Sequence, residues 1–276
     1  MDQSRDMSVN RRMYHNGEFV QNCLILGSGR SGTSVVAGTL AKSGYYMGNN
    51  LYPALEGNPK GFFEDPEINS INEDLIGQVV KKRPPLFLAK WFLRDRPRRG
   101  QLWLAHIPVS TNIPTPLSVK ERIEEAVEEQ PYCFKDPRFS YTLPAWRPFL
   151  KNVVFICVFR DPATTTASIL KECRNADYLH DLKITFEQAL NVWTLMYKHI
   201  LEIHCHEGDW LFLHYDQVLY GNGLDQIEIL TGAKVDRSFP EGTLKRTRPS
   251  GLAIEESRSV YKELCNLAHT KPETFR

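Results

Sequence analysis

The sequence is poor in several of the features that would assign it quickly to a class. No charge sign dominates, with 34 Lys plus Arg against 33 Asp plus Glu among 276 residues. There is thus no global positive field of the kind that draws proteins onto nucleic acid, and a nucleic-acid partner is not expected. Of the six cysteines (Cys23, Cys133, Cys157, Cys173, Cys205, Cys265) no two form a C-x-x-C pair. Free thiols in a reducing, cytoplasmic setting are the simplest reading. Long apolar runs are missing too: the longest uninterrupted one is Val153 to Phe159, and the first 21 residues are polar. Neither a signal peptide nor a membrane-spanning helix is expected.

What is present, 42% hydrophobic and 24% charged residues, is the profile of a globular α/β chain large enough for a full core. The apolar run Cys23–Leu26 enters the glycine-rich segment GSGRSGT, and a helical pattern follows from Ser34 to Lys42. Short strands are predicted at Tyr132–Lys135, Asn152–Phe159 and Trp210–Tyr215. Asn152–Phe159 is apolar on both faces, as a central strand of a parallel sheet must be. Helices are predicted near Pro66–Val80, Ser118–Gln130 (capped by a Ser118/Glu121 box), Ala163–Lys171, Thr185–His206, Gly223–Leu230 and Ile254–Ala268. The alternation predicts one domain over residues 1–276, a three-layer sandwich with a central parallel sheet and helices on both faces. Lys81–Leu117 holds six of the 17 prolines without periodicity and reads as a lid or insert. Its Lys81–Gly100 part carries eight basic residues against Asp95 alone, either a solvated charge run or a field that steers anions.

The loop Gly27-Ser28-Gly29-Arg30-Ser31-Gly32-Thr33-Ser34 fits three anion-binding templates, because all use backbone N–H groups and a helix N-terminus. A dinucleotide fingerprint wants an acidic residue about 20 positions on, where SGYYMGNN offers none. An ATP-binding P-loop wants a lysine where Thr33 stands. In the third template, R-S-G-T-[ST], Arg30 supplies charge from inside the loop, and Thr33 and Ser34 supply hydroxyls. Further on, Phe159-Arg160-Asp161-Pro162 closes a strand, with Ser168 eight positions after Arg160 on the next helix. Such an arginine can grip a phosphate with two parallel hydrogen bonds, and the serine can donate to it.

With these motifs in this order, the chain resembles the sulfotransferases that use 3′-phosphoadenosine 5′-phosphosulfate (PAPS), in particular the bacterial branch acting on small molecules. The resemblance implies a P-loop-like fold and a 5′-phosphosulfate site on Gly29, Arg30, Ser31, Gly32, Thr33 and Ser34. It places the 3′-phosphate on Arg160 and Ser168. Lys245, Arg246 and Arg248 would form a basic loop that closes over this phosphate. It also implies 3′-phosphoadenosine 5′-phosphate (PAP) as product, no metal, a small-molecule acceptor that attacks through a hydroxyl or a nitrogen, no membrane partner, and a homodimer as one allowed assembly. Lys135 matches the family's lysine at the bridging oxygen, but Pro137 stands where animal members carry a histidine base. Candidates for that base are Glu64, Asp136 and His106, with Glu64 favoured because the preceding Phe62-Phe63 pair would raise its pKa by desolvation. A degenerate nucleotide kinase and a non-catalytic nucleotide-binding scaffold are the rival readings. The histidines near Cys205 do not have helical metal-ligand spacing, and Trp193, Met196, Tyr197, Ile200 and Ile203 read as core.

Overall fold

The computed structural model of the chain describes residues 14–15, 18–54, 58–81, 94–242 and 254–271. Four strands, β3 (Asn22–Leu26), β4 (Cys133–Lys135), β5 (Val153–Phe159) and β6 (Asp209–His214), form an all-parallel sheet in the order β4-β3-β5-β6. A small antiparallel pair, β1 (Tyr14–His15) and β2 (Glu18–Phe19), precedes it. Nine helices are described: α1 (Thr33–Leu40), α2 (Pro66–Ile76), α3 (Leu117–Ala126), α4 (Phe139–Trp146), α5 (Pro162–Asn175), α6 (Phe186–His199), α7 (Tyr215–Tyr220), α8 (Gly223–Thr231) and α9 (Glu255–Leu267).

Residue alternation on the strands builds the three layers. Val154, Ile156 and Val158 of β5 join Cys23 and Ile25 of β3 under α1, α7 and α8. Phe155, Cys157 and Phe159 face the other way, with Leu24, Leu26 and Phe134, into a core closed by α2, α3, α4, α6 and α9. Both faces of the sheet are therefore covered, which is why its strands are apolar throughout. Because the sheet is all-parallel, the four carboxyl ends lie at one end of it: Lys135 ends β4, Gly27 follows β3, Arg160 follows β5 and His214 ends β6.

Several local expectations need correction. α3 starts at Leu117 with Pro116 as its extended N-cap, so Ser118 lies inside the first turn and makes no capping box. Phe139–Trp146 and Arg147–Phe149, where the sequence pattern predicts no element, form α4 and a 3₁₀ turn. Pro144 hides this helix, because proline removes the N–H that would bond the carbonyl four residues back. His204 supplies the missing donor: its Nε2 donates to that carbonyl, Ser140 O, at 3.1 Å. The predicted Thr185–His206 helix does begin with a Thr185/Gln188 capping box, but ends in a π turn over Ile200–His204. The wider turn shifts the helical phase. Trp193, Met196, Tyr197 and Ile200 are fully buried as expected, whereas Ile203 is exposed.

Burial drives the His204 pKa down to about 3, so the native ring is neutral while the unfolded one protonates near its usual 6.5. Between these values the unfolded chain binds more protons, and stability falls as pH falls. From His204 alone the loss between pH 7 and pH 5 is about 2 kcal/mol. Urea denaturation at the two pH values measures it. His204→Gln, which keeps a donor for Ser140, is expected to remove this part of the difference.

Candidate functional site

The loop between β3 and α1 is shaped by glycines and held by two aromatic side chains from elsewhere. Gly32 has φ +99, and a Cβ there would lie 2.2 Å from the Tyr215 ring. A Cβ on Gly29 would lie 2.6 Å from Trp103, so Trp103 is packed directly against the loop. Trp103 belongs to a buried 3₁₀ turn, Leu102–Leu104. The described end of the proline-rich insert is thus part of the core. Tyr197 ties the loop from below: its hydroxyl donates to Val158 O at 2.7 Å, accepts from Ser28 N–H at 3.1 Å and sits 3.0 Å from Ser31 Oγ. Ser31 is fully buried, so its hydroxyl serves the loop's own structure. α2, α5, α6 and α7 are capped by the side chains of Asp65, Asp161, Thr185 and His214. α1, like α3, α4, α8 and α9, has no side-chain cap, and its Val35 N–H bonds Gly32 O at 2.9 Å.

Arg30, at φ +69, sends its side chain towards α5. Its Nε donates to Ser168 Oγ at 3.3 Å, and its Nη1 pairs with Glu172 at 3.5 Å. Arg160, nearly buried, lies with its guanidinium 5.0 Å from the centre of the Tyr215 ring. That ring therefore braces both the loop at Gly32 and the arginine at the end of β5. Burial lowers the Arg160 pKa, with Tyr215, Asp216 and Asp161 opposing and Arg30 adding to the fall. Arg30 thus links the glycine loop to Ser168 in the middle of α5 and lies within electrostatic reach of Arg160. Lys245, Arg246 and Arg248 lie outside the described residues.

On the other side of the loop, Lys135 at the end of β4 is buried and ion-paired with Glu64, whose second oxygen accepts from Asn69 Nδ2 at 2.8 Å. Burial pushes the Glu64 carboxyl up, but Lys135 and Arg138 outweigh it, together with hydrogen bonds from Lys135 and Asn69, and hold it below the ordinary range. The expected rise from the aromatic pair is overturned, because the lysine of β4 is the nearer influence. Asp136 is fully buried. Its carboxylate accepts from Asn72 at 2.9 Å, from Arg138 N–H at 2.9 Å and from Arg138 Nη1 at 3.0 Å. Its oxygens are thus committed to Asn72 and Arg138. His106 is exposed between buried Ala105 and Ile107.

Sequence reasoning missed Arg138, which links Asp136 to Glu73 at 2.6 Å. Glu73 in turn accepts from Gly100 N–H at 2.8 Å and Leu102 N–H at 3.1 Å, seating the turn that carries Trp103. The available signal was polar residues, Asn69, Asn72 and Glu73, on the apolar stripe of α2. Within the basic run, Arg98 pairs with Asp181 and Arg99 with Asp74. His199 and His204 bond backbone carbonyls. Among the described residues no group of three or more His, Cys, Asp or Glu could hold a metal ion, and no helix is long and apolar enough to cross a membrane.

The sequence matches no family profile and no curated protein. Among solved structures the chain is similar to the sulfotransferase domain of the Synechococcus PCC 7002 olefin synthase, with a TM-score of 0.48 and 14% identity over 88% of this chain and 94% of that one. It is similar to the sulfotransferase domain from the curacin biosynthetic pathway, with a TM-score of 0.49 and 12% identity over 90% and 98%. Sulfotransferase STF9 from Mycobacterium avium gives a TM-score of 0.48 and 14% identity over 97% and 81%.

Proposed function

We propose that the chain is a cytoplasmic sulfotransferase that moves the sulfuryl group of PAPS to a hydroxyl, or a nitrogen, of a small natural-product acceptor. The observation that carries the reading is the bond from Arg30 of the glycine loop to Ser168, with Arg160 within electrostatic reach of Arg30 and the Lys135–Glu64 pair at the same end of the parallel sheet. In this reading Gly29–Ser34 hold the 5′-phosphosulfate, and Arg160 and Ser168 hold the 3′-phosphate under Lys245, Arg246 and Arg248. PAPS supplies an activated sulfuryl group on a phosphate leaving group. Arg30 and Lys135 meet the negative charge that collects on the leaving oxygen. Lys135 turns away from Glu64 to do so, and Glu64, with burial now opposed only by Arg138 and Asn69, takes the proton of the acceptor hydroxyl.

Arg160 gives the direct test. Arg160→Ala is expected to weaken PAP by about 10- to 100-fold, the scale of a charge-assisted hydrogen bond. Binding of adenosine 5′-phosphosulfate, which lacks the 3′-phosphate, should change little. Equal losses for the two nucleotides in calorimetric titrations would take Arg160 out of this role.

A further inference from the structure

A buried carboxylate inside a site that gathers anions works against that site unless a cation stays with it. Glu172 is such a group. It stands one helical turn beyond Ser168 on α5, its side chain is 9% exposed, and its partner is Arg30. In the function proposed above Arg30 turns to the anionic donor, and Glu172 then needs another positive charge.

The surroundings indicate where that charge would come from. Tyr178 is 39% exposed, and its hydroxyl is within electrostatic reach of Glu172, Glu64, Arg30 and Arg138. Its carbonyl is fixed by the buried Gln101, whose Nε2 donates to it at 2.7 Å. Tyr52, 42% exposed, bonds through its N–H to Glu64 O at 2.9 Å, and its hydroxyl feels Arg138 and Glu64. Two exposed aromatic side chains therefore share Glu64 and Arg138 as electrostatic neighbours, and Tyr178 adds Glu172. Aromatic faces attract cations as well as flat apolar groups.

We infer that Glu172, with Tyr178 beside it, is the acceptor-selecting subsite and takes an ammonium group, so that preferred acceptors carry a cationic nitrogen on a flat apolar body. The two carboxylates divide the work: Glu64 receives the acceptor's proton and Glu172 its positive charge. This inference rests on the sulfotransferase reading, in which an anionic donor claims Arg30.

The test is calorimetric titration of the PAP-loaded protein with tyramine, 4-ethylphenol and 4-hydroxyphenylacetate, which differ in charge on a common ring. Tyramine should bind about tenfold or more tightly than 4-ethylphenol, the scale of one charge-assisted hydrogen bond, with the anion weakest. Glu172→Gln should erase the difference, and Glu172→Asp should keep much of it. Tyramine binding no tighter than 4-ethylphenol overturns the inference, as does a preference that survives in Glu172→Gln. Weakened PAP with an unchanged ratio of the probes would instead make Glu172 only the positioning partner of Arg30. Failure of the unaltered protein to bind PAP at all is a separate outcome, and removes the sulfotransferase reading on which the inference rests.

Discussion

Arg138→Leu is expected to lower the stability of the folded chain by about 3–5 kcal/mol, the usual cost of removing one partner from a buried ion pair. The size follows from what the arginine leaves behind. Glu73 and Asp136 have side chains 4% and 0% exposed, so neither carboxylate can recover its hydration without opening the core. Part of the loss should return in the double variant Arg138→Leu/Glu73→Gln, because one of the two uncompensated charges is gone and the amide oxygen still accepts from either Gly100 or Leu102. Urea denaturation of both variants measures this. A loss under about 1 kcal/mol would mean that water reaches the cluster.

Glu64→Gln should lower kcat by about 10²- to 10⁴-fold, the range of a positioned general base. PAP affinity should hold, since the amide removes negative charge without touching Arg30, Arg160 or Ser168. Lys135→Ala should lower kcat by about 10²- to 10³-fold through lost charge stabilisation. The two losses should not add in the double variant, since each side chain acts through the other. In the protein without ligands Lys135 holds the Glu64 carboxyl below its usual range, so kcat/KM should fall with acid only as pH drops through that lowered value. The acid limb of kcat, which reports the complex with Lys135 turned away, should lie at higher pH. Full activity in Glu64→Gln would remove Glu64 from proton transfer.

Local patterns gave the layers and the motifs, whereas contacts between distant segments did not show in the sequence. The strand Asn152–Phe159 was legible because both its faces are apolar, and Arg160 with Ser168 because a strand end and a helix turn fix their spacing. The pairing of Arg30 with Ser168 spans 138 residues, and that of Lys135 with Glu64 spans 71. No periodicity carries such information. For this reason the pKa of Glu64 was expected to rise from its neighbours in sequence, while its neighbour in space lowers it. α4 was hidden for a related reason: Pro144 breaks its pattern, and the compensating donor, His204, comes 60 residues later. Tyr197 was legible as core, but its hydroxyl, the part that ties down the glycine loop, was not.

The most direct measurement is calorimetric titration of the chain with PAP, alongside Mg-ATP and NAD, each with and without EDTA. The account predicts roughly micromolar binding of PAP that EDTA leaves unchanged, with neither of the other nucleotides competing. Tight binding of Mg-ATP or NAD in the absence of PAP binding would contradict it, because the glycine loop would then serve a different phosphate and the roles of Arg30, Arg160, Ser168 and Lys135 would fall together.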